Sequence, residues 1–550
     1  MTRSWLALRI VSEPNWIAAR IARVGADVQG LNPAREAGLA AAPRQDARLT
    51  RSAALNSLAA GIDLVARVAV ELVLNPLLVG RLGDHLYGAW RVLWRFTGSL
   101  SATSGRSAQA LKWSIATRQG STDYTEKREL VGSAVGVWLL FLPVVALIGG
   151  AFAWAAPALL DTSPEYAWSL RWAALLLVAH VAMSSLVDVP RAILQGENLG
   201  YKRMGLSTFL VVLGGALMAL ALYLHTGIVG VAAANLANSV LTGLLFVRVV
   251  RSHVSWAGIA RPTRAAVRRF TQLSGWFVAW KFVMQAMLAG DVLVLGMVGS
   301  LEAVTTYSLT LFAPGTVIAA VALIVAGLAP GLGRLVGSGD WASAAGVRAE
   351  LMALTWLVAT SAGATLLVWN RAFVELWVGS AHYAGTLPTL LIVLMVTQLV
   401  LIRNDSAIID LTLSIRGKVL LGLFSAFLSL ALAAALVGYF DAGIVGLCIG
   451  IVTGRVVLTI GYPRFVGRLL GLSWRRQVSG MLRPAAATIL IFAPAFLRAG
   501  AAEAGNWPAL MLGTSVTFVG IAAASFLLGL SKTTRAILVR RVRKVVGFVA

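Results

Sequence analysis

Runs of about 20 apolar residues alternate along this chain with short polar segments rich in arginine. A helix rising 1.5 Å per residue needs roughly 20 such residues to cross a hydrocarbon core of about 30 Å. On that template the pattern predicts fourteen spans, at 55–79, 86–108, 131–156, 168–189, 205–224, 228–249, 273–299, 304–328, 349–369, 386–403, 418–438, 443–462, 484–500 and 508–530. The first two break the pattern. Span 1 carries Asp63, Arg67 and Glu71, spaced four apart on one helical face. Span 2 places Tyr87, Arg91, Arg95, Ser99 and Thr103 at every fourth position, a polar stripe down one side. A charge at the centre of a membrane helix costs about 2.5–3.5 kcal/mol on the translocon scale. A chain that keeps several either pairs them or uses them.

The segments between spans set the orientation. With the N-terminus inside and strict alternation, inside loops hold Lys112, Arg118, Lys127 and Arg128, then Arg191, Lys202 and Arg203, then Arg248, Arg251, Arg261, Arg264, Arg268 and Arg269. The pattern continues through Arg334 and Arg348, Arg403, Arg416 and Lys418, and Arg464 to Arg483, and ends in a basic tail. Outside loops hold only Arg81, Arg371 and Arg498, with acids such as Asp161 and Asp441. This positive-inside bias places both termini in the cytoplasm. A miscount by one span would invert it downstream.

Composition agrees. Of 550 residues 58% are hydrophobic and 13% charged, and the mean hydropathy is +0.80. The formal net charge of +24 would suggest nucleic acid in a soluble protein. Here the inside loops account for it, and no nucleic-acid partner is expected. A single cysteine, Cys448, excludes a disulfide framework or cysteine metal site within one chain. Residues 1–50 do not resemble a signal peptide, since Arg9 interrupts the patch from Trp5 to Val11 and no small-residue cleavage site follows. They are expected to be a basic cytoplasmic tail, either disordered or holding an interfacial helix.

An internal repeat organises the spans. Gly227-Ile228-Val229-Gly230-Val231 recurs as Gly443-Ile444-Val445-Gly446-Leu447 at an offset of 216, which also superposes Lys202 on Lys418. Val79-Gly80-Arg81-Leu82 resembles Val298-Gly299-Ser300-Leu301 at an offset of 219. The offset covers six spans, so the two copies share one orientation, as parallel repeats about an axis along the membrane normal. The expected architecture is all-α and polytopic: two parallel six-helix lobes plus two C-terminal helices. Its parts are the tail at 1–50, an N-lobe at 51–252, a cytoplasmic linker at 253–272, a C-lobe at 273–470, spans 13 and 14 at 471–530, and a basic cytoplasmic tail at 531–550.

The embedded charges now acquire depths. Arg67 lies about 18 Å from the inner edge of span 1, and Arg95 and Arg91 about 13 Å and 8 Å from the outer edge of span 2. Lys281 lies about 12 Å from the inner edge of span 7, and Arg455 about 16 Å from the outer edge of span 12. These five cations face three embedded anions, Asp63, Glu71 and Asp291. In span 1 the charges can simply neutralise each other along the helix. Arg91 and Arg95 have no acid on their own helix, and either line a polar cavity or pair with Asp63 or Glu71. Arg455 is open between ligand and structural partner. Arginine does not lose its proton and grips phosphate bidentately, so a positive cleft suits a phosphate or pyrophosphate head group on a lipid. A coupling Na+ or H+ would use Asp63, Glu71 or Asp291; no other cofactor and no catalytic or metal-binding residue is expected. Asp188 is expected to cap or to pair with Arg191, His180 to bond a neighbour, and Trp168, Trp172, Trp377, Tyr439 and Tyr462 to anchor span ends at the interface. The glycines and prolines of spans 7 and 8 serve either bending or close packing.

Residues 51–530 resemble the multidrug/oligosaccharidyl-lipid/polysaccharide exporter superfamily, in its polysaccharide-transporter or O-antigen-flippase branch. The resemblance rests on the lobe plan, on Leu86-Tyr87-Gly88-Ala89-Trp90 opening span 2, on Arg191-Ala192-Ile193-Leu194-Gln195-Gly196 after span 4, and on the Gly-Ile-Val-Gly starts of spans 6 and 12. It implies flipping of an undecaprenyl-pyrophosphate-linked oligosaccharide across the cytoplasmic membrane by alternating access. Basic cavity residues, here Arg67, Arg91, Arg95 and Lys281, would steer the head group. Its partners would be that lipid-linked substrate, membrane lipids and a polysaccharide-biosynthesis complex, with the chain itself a monomer. A cation-coupled multidrug exporter of the same superfamily would want acids to dominate the cavity and usually twelve helices. A peptidoglycan-precursor flippase shares fourteen helices and a cationic cavity. A membrane glycan polymerase or glycosyltransferase would need a sizeable outer loop, whereas the largest here are 157–167 and 370–385, and no nucleophile–base pair, metal cluster or phosphate loop stands out.

Overall fold

The computed structural model describes residues 42–101, 107–116, 118, 122–197, 199, 204–337, 339–411 and 415–549. The chain divides into two units, Met1–Asn56 and Ser57–Ala550. In the first, residues 42–56 are helical, and the rest of the expected basic tail, with Trp5 to Val11, lies outside the described residues. So do Thr103 and Lys202.

Among the described residues there are fifteen α-helices and no strand. They are α1 (Ala42–Leu100), α2 (Ser107–Ala116), α3 (Tyr124–Leu159), α4 (Pro164–Gly196), α5 (Met204–Tyr223), α6 (Gly227–His253), α7 (Arg264–Val298), α8 (Leu301–Gly337), α9 (Trp341–Val378), α10 (Thr386–Leu411), α11 (Ile415–Gly438), α12 (Gly443–Leu470), α13 (Trp474–Leu497), α14 (Trp507–Gly529) and α15 (Lys532–Val549). Twelve of them, α3 to α14, contain stretches long and apolar enough to cross a membrane, and these coincide with expected spans 3–14. This is an all-α polytopic membrane fold.

Spans 1 and 2 are the two helical arms of α1, which meet at a kink where Gly83 takes the non-helical φ 76° and ψ 166°. One glycine in that region turns the chain without a loop, because no Cβ opposes it. In span 2 the described residues are helical to Leu100, and α2 runs from Ser107.

The apolar core shows how the spans are arranged. On the orientation the basic loops imply, the outer ends share one cluster. It runs from Leu74, Leu78 and Tyr87 of α1 through Leu170 of α4 and Ile228 of α6 to Val292 of α7, Leu301 of α8, Trp377 of α9 and Leu447 of α12. The inner ends form two clusters. One holds Leu111, Val131, Ile193, Leu210 and Phe246 from α2 to α6; the other holds Val283, Leu332, Ile402, Leu458 and Tyr462 from α7 to α12. Apolar burial thus joins the two sets of helices at the outer end, while at the inner end there are two clusters, with Val267 of α7 packed against that of α2 to α6.

The repeat is visible in the backbone. His225, Thr226 and Gly227 enter α6 with φ 57°, −78° and 63°. Asp441, Ala442 and Gly443 enter α12 at the same offset of 216 with φ 48°, −82° and 49°. A left-handed non-glycine residue is uncommon, so its recurrence at one offset is a specific match. Each half also holds a buried ion pair at the same place in helix order. Lys127 at the start of α3 binds Glu197 just after α4 at 3.0 Å, and Arg348 near the start of α9 binds Asp405 near the end of α10 at 2.7 Å.

Two of the expected interface anchors are core residues. Trp377 packs against Phe312 and Phe373 and donates Nε1–H to the Leu72 carbonyl at 2.6 Å. Tyr462 is buried and donates to the Lys418 carbonyl at 3.1 Å. Trp168, Trp172 and Tyr439 are exposed, as anchors should be. Gly88 and Gly296 serve close packing, since a Cβ would lie 2.1 Å from the Leu301 carbonyl oxygen and 2.4 Å from a Val92 methyl, respectively.

Candidate functional site

The inner arm of α1 carries two stripes. Ile62, Val65, Val73 and Leu77 form an exposed apolar stripe suited to lipid. Across the helix run Asp63, Arg67, Glu71, Leu74, Asn75 and Leu78. Leu74, Asn75 and Leu78 are buried within the outer core, whereas Arg67 and Glu71 on the same face are exposed. This face is closed at its outer end and exposed further in.

The self-neutralising ladder, one of the two alternatives for span 1, does not form. Among the described residues Arg67 makes no ion pair within 4.0 Å, and Asp63 accepts instead from the Thr208 hydroxyl of α5 at 2.7 Å. Charges four apart on a helix meet only when no better partner competes, and isolated pairs of this kind yield about 0.2–0.5 kcal/mol. Arg91 and Arg95 likewise form no ion pair with Asp63 or Glu71. Arg91 is half-buried with its Nε enclosed and unpartnered. Arg95 donates Nη1–H to the Leu288 carbonyl of α7 at 2.8 Å and lies in electrostatic range of Arg91, Glu71, Asp291 and Tyr307. Further along the stripe Tyr87 donates to Asn75 Oδ1 at 3.0 Å, and Ser99 donates to the Arg95 carbonyl at 3.3 Å.

Behind this stripe lies a buried hub. Asp291 of α7 takes the Tyr307 hydroxyl on Oδ2 at 2.6 Å and the Val292 N–H on Oδ1 at 2.8 Å. Arg455 of α12 is buried and donates Nη2–H to the Met287 carbonyl, one residue from the carbonyl that Arg95 holds. Its Nε and Nη1 are enclosed without a partner. Arg455 is therefore part of the packed interior. Two arginines, from α1 and α12, thus grip successive carbonyls of α7 inward of a buried aspartate. Lys281 is half-buried on α7, two turns further in.

The structure therefore brings Arg91, Arg95, Glu71, Asp291 and Arg455 into one polar layer, with Arg67 and Asp63 on the open face. Sequence reasoning missed Tyr307, which completes Asp291, and the Arg348–Asp405 pair. Asp405 sits in the polar run Arg403-Asn404-Asp405-Ser406 at the expected end of span 10, and its partner lies 57 residues away. The expected local contacts do form: Arg191 bonds Asp188 at 3.2 Å, and His180 Nδ1 sits 2.8 Å from the Ser239 hydroxyl.

A bundle of membrane-crossing helices with a polar layer at the junction of two helix sets defines a class of membrane protein, and comparison with solved structures places its fold. An inward-facing multidrug resistance MATE family transporter of the MOP superfamily aligns with TM-score 0.58 at 16% identity, over 75% of this chain and 98% of its own. An outward-facing one aligns with TM-score 0.54 at 18% identity, over 76% and 95%. A MOP superfamily transporter from Pyrococcus furiosus, whose reversed binding-pocket polarity is said to suggest a different function, aligns with TM-score 0.54 at 17% identity, over 76% and 95%. No family model matches the sequence, and no curated protein matches it. This chain has the fold of the MATE transporters, and about a quarter of it lies beyond that common part.

Proposed function

We propose that this chain is an exporter that moves a lipid-linked oligosaccharide, of the undecaprenyl-pyrophosphate type, across the cytoplasmic membrane by alternating access, for surface polysaccharide biosynthesis. The observation that carries this reading is the Arg91 guanidinium, half-buried and unpartnered beside Arg95, near a helix face that is closed outside and open inside. A guanidinium keeps its charge at any working pH and matches phosphate oxygens two at a time. Arg67 and Arg91 offer donors to such a group, Arg95 is already braced on α7, and Lys281 extends the positive side inward. A coupling H+ or Na+ would use Glu71, the exposed acid, with Asp63 and Asp291 behind it. No step calls for a nucleophile, so the chain is read as a transporter and not an enzyme.

The multidrug neighbours favour a second reading, export of an organic cation. The charge balance opposes it, because two of the three embedded acids are occupied by hydroxyl donors. Reconstitution separates the two. In proteoliposomes the wild-type chain should translocate a fluorescent lipid pyrophosphate-linked oligosaccharide. Arg91→Ala with Arg95→Ala should slow it roughly tenfold or more, given about 1.5–3 kcal/mol for a hydrogen bond to a charged group. Undiminished translocation by a folded double variant, or uptake of organic cations alone, would reject the assignment.

A further inference from the structure

A second cavity lies away from the polar layer, among the inner halves of α7, α8 and α10. Its volume is about 160 Å³. Trp280 and Met284 of α7 and Ile318 and Val321 of α8 make apolar walls, and Arg403, Ser406 and Asp410 enter from α10. Residues 403, 406, 407 and 410 share one face of that helix, so its polar groups converge on the same space.

The charges inside are not balanced. Lys418 of α11 is buried at the edge of this group. Its Nζ donates to Asp410 Oδ1 at 2.6 Å and to the Ser406 carbonyl at 3.0 Å, and lies 3.6 Å from the centre of the Trp280 ring. Asp410 is thereby committed to the ammonium. The neighbouring Asp405 is committed to Arg348 through two hydrogen bonds, at 2.7 and 2.9 Å. Arg403 is half-buried, lines the cavity and has no hydrogen-bond or ion-pair partner among the described residues. Two cations face one carboxylate, and the unpaired one is the arginine. A guanidinium withdrawn from bulk water into apolar walls is costly unless an anion meets it, and it cannot escape by losing its proton.

We infer that this cavity is an anion site for a small phosphate monoester or phosphodiester, held by Arg403 with its organic part against Trp280, Met284 and Ile318. The cavity exceeds what a bare phosphate fills, and its walls would reward a short alkyl group. The phosphate can come from a soluble ester or from the head group of an inner-leaflet phospholipid. The inference does not depend on the flippase reading, because none of these residues belongs to the Arg91–Arg95 layer.

The test is thermal unfolding of the full-length purified protein in a neutral detergent, titrated separately with inorganic phosphate, n-butyl phosphate and dihexanoyl phosphatidylglycerol. Saturable stabilisation is expected, stronger for the organic phosphates than for inorganic phosphate. Arg403→Gln should weaken it at least roughly tenfold, about 1.4 kcal/mol of binding free energy, while Arg91→Ala with Arg95→Ala leaves it in place. Ala407→Leu, which keeps the charge and fills the space, should also abolish it, so a folding defect in Arg403→Gln alone does not decide the matter. Stabilisation by phosphatidylglycerol alone assigns the lipid source; stabilisation by butyl phosphate assigns a soluble ester. No stabilisation by any probe, or equal stabilisation in both cavity variants, overturns the inference.

Discussion

Arg348 and Arg403 carry the same charge some tens of residues apart and meet opposite fates. Arg348 is sealed against Asp405 with both forks engaged, and both groups are almost fully buried. Breaking a buried pair leaves the survivor uncompensated, at about 3–5 kcal/mol. Arg348→Ala should therefore lower the unfolding midpoint in detergent sharply. Arg348→Met together with Asp405→Leu should recover most of that loss, because the pair as a unit contributes little beyond apolar residues of similar volume. Among the described residues Arg91 and Arg403 have no such partner, so replacing either should leave the fold intact and, on the two proposals above, remove a ligand contact. Stability and binding thus separate residue by residue, according to whether the chain itself supplies the anion.

Single glycines decide how helices meet. In α12, Gly446, Gly450 and Gly454 recur every fourth residue and lie on α11. A Cβ on Gly450 would fall 2.4 Å from the Ala433 nitrogen, and one on Gly454 2.4 Å from the Ser429 Cα. Neither backbone can yield as a side chain would. Gly454→Ala should cost about 1–3 kcal/mol by overpacking, read as a lower unfolding midpoint, whereas Gly520→Ala, in open space on α14, should change little. Gly83 acts through conformation instead. Its backbone region is essentially closed to other residues, so Gly83→Ala should cost about 1–3 kcal/mol in strain. It should also disturb the hydrogen bond that Thr305 makes to the Asp84 carbonyl at 2.6 Å, loosening the join between α1 and α8.

At the scale of the molecule, one apolar cluster joins the two sets of helices at the outer end. Across the outer end Asp84 also meets His382 at 2.7 Å, tying α1 to the turn after α9. Accessibility tests this directly. Cys448 is fully buried, so it adds no background. Arg67→Cys should react with a membrane-impermeant maleimide added from the cytoplasmic side. Asn75→Cys, two turns outward on the same face and 4% exposed in the native residue, should resist the reagent from either side. Labelling of Arg67→Cys only from outside would reverse the orientation.

Local physics made much of this legible in the chain alone. Apolar run length depends only on bilayer thickness, so α3 to α14 could be placed from composition. The positive-inside rule supplied an orientation, and the Gly-Ile-Val-Gly repeat marked two turns whose backbones do match. The candidate charges could be named because an ion in an apolar run stands out wherever it folds. What they touch could not be named. Asp63 chose Thr208 over Arg67, Arg455 turned to a helix carbonyl, and Trp377 went into the core, because partner choice depends on side chains many residues distant. That the kink between spans 1 and 2 falls on Gly83 escaped for a related reason: a glycine only permits such a backbone, and the packing of α1 against α7 and α8 favours it. Length and hydropathy are properties of a segment and are written along the chain. Which groups a buried charge meets is a property of which segments face one another, and only the tertiary structure decides that.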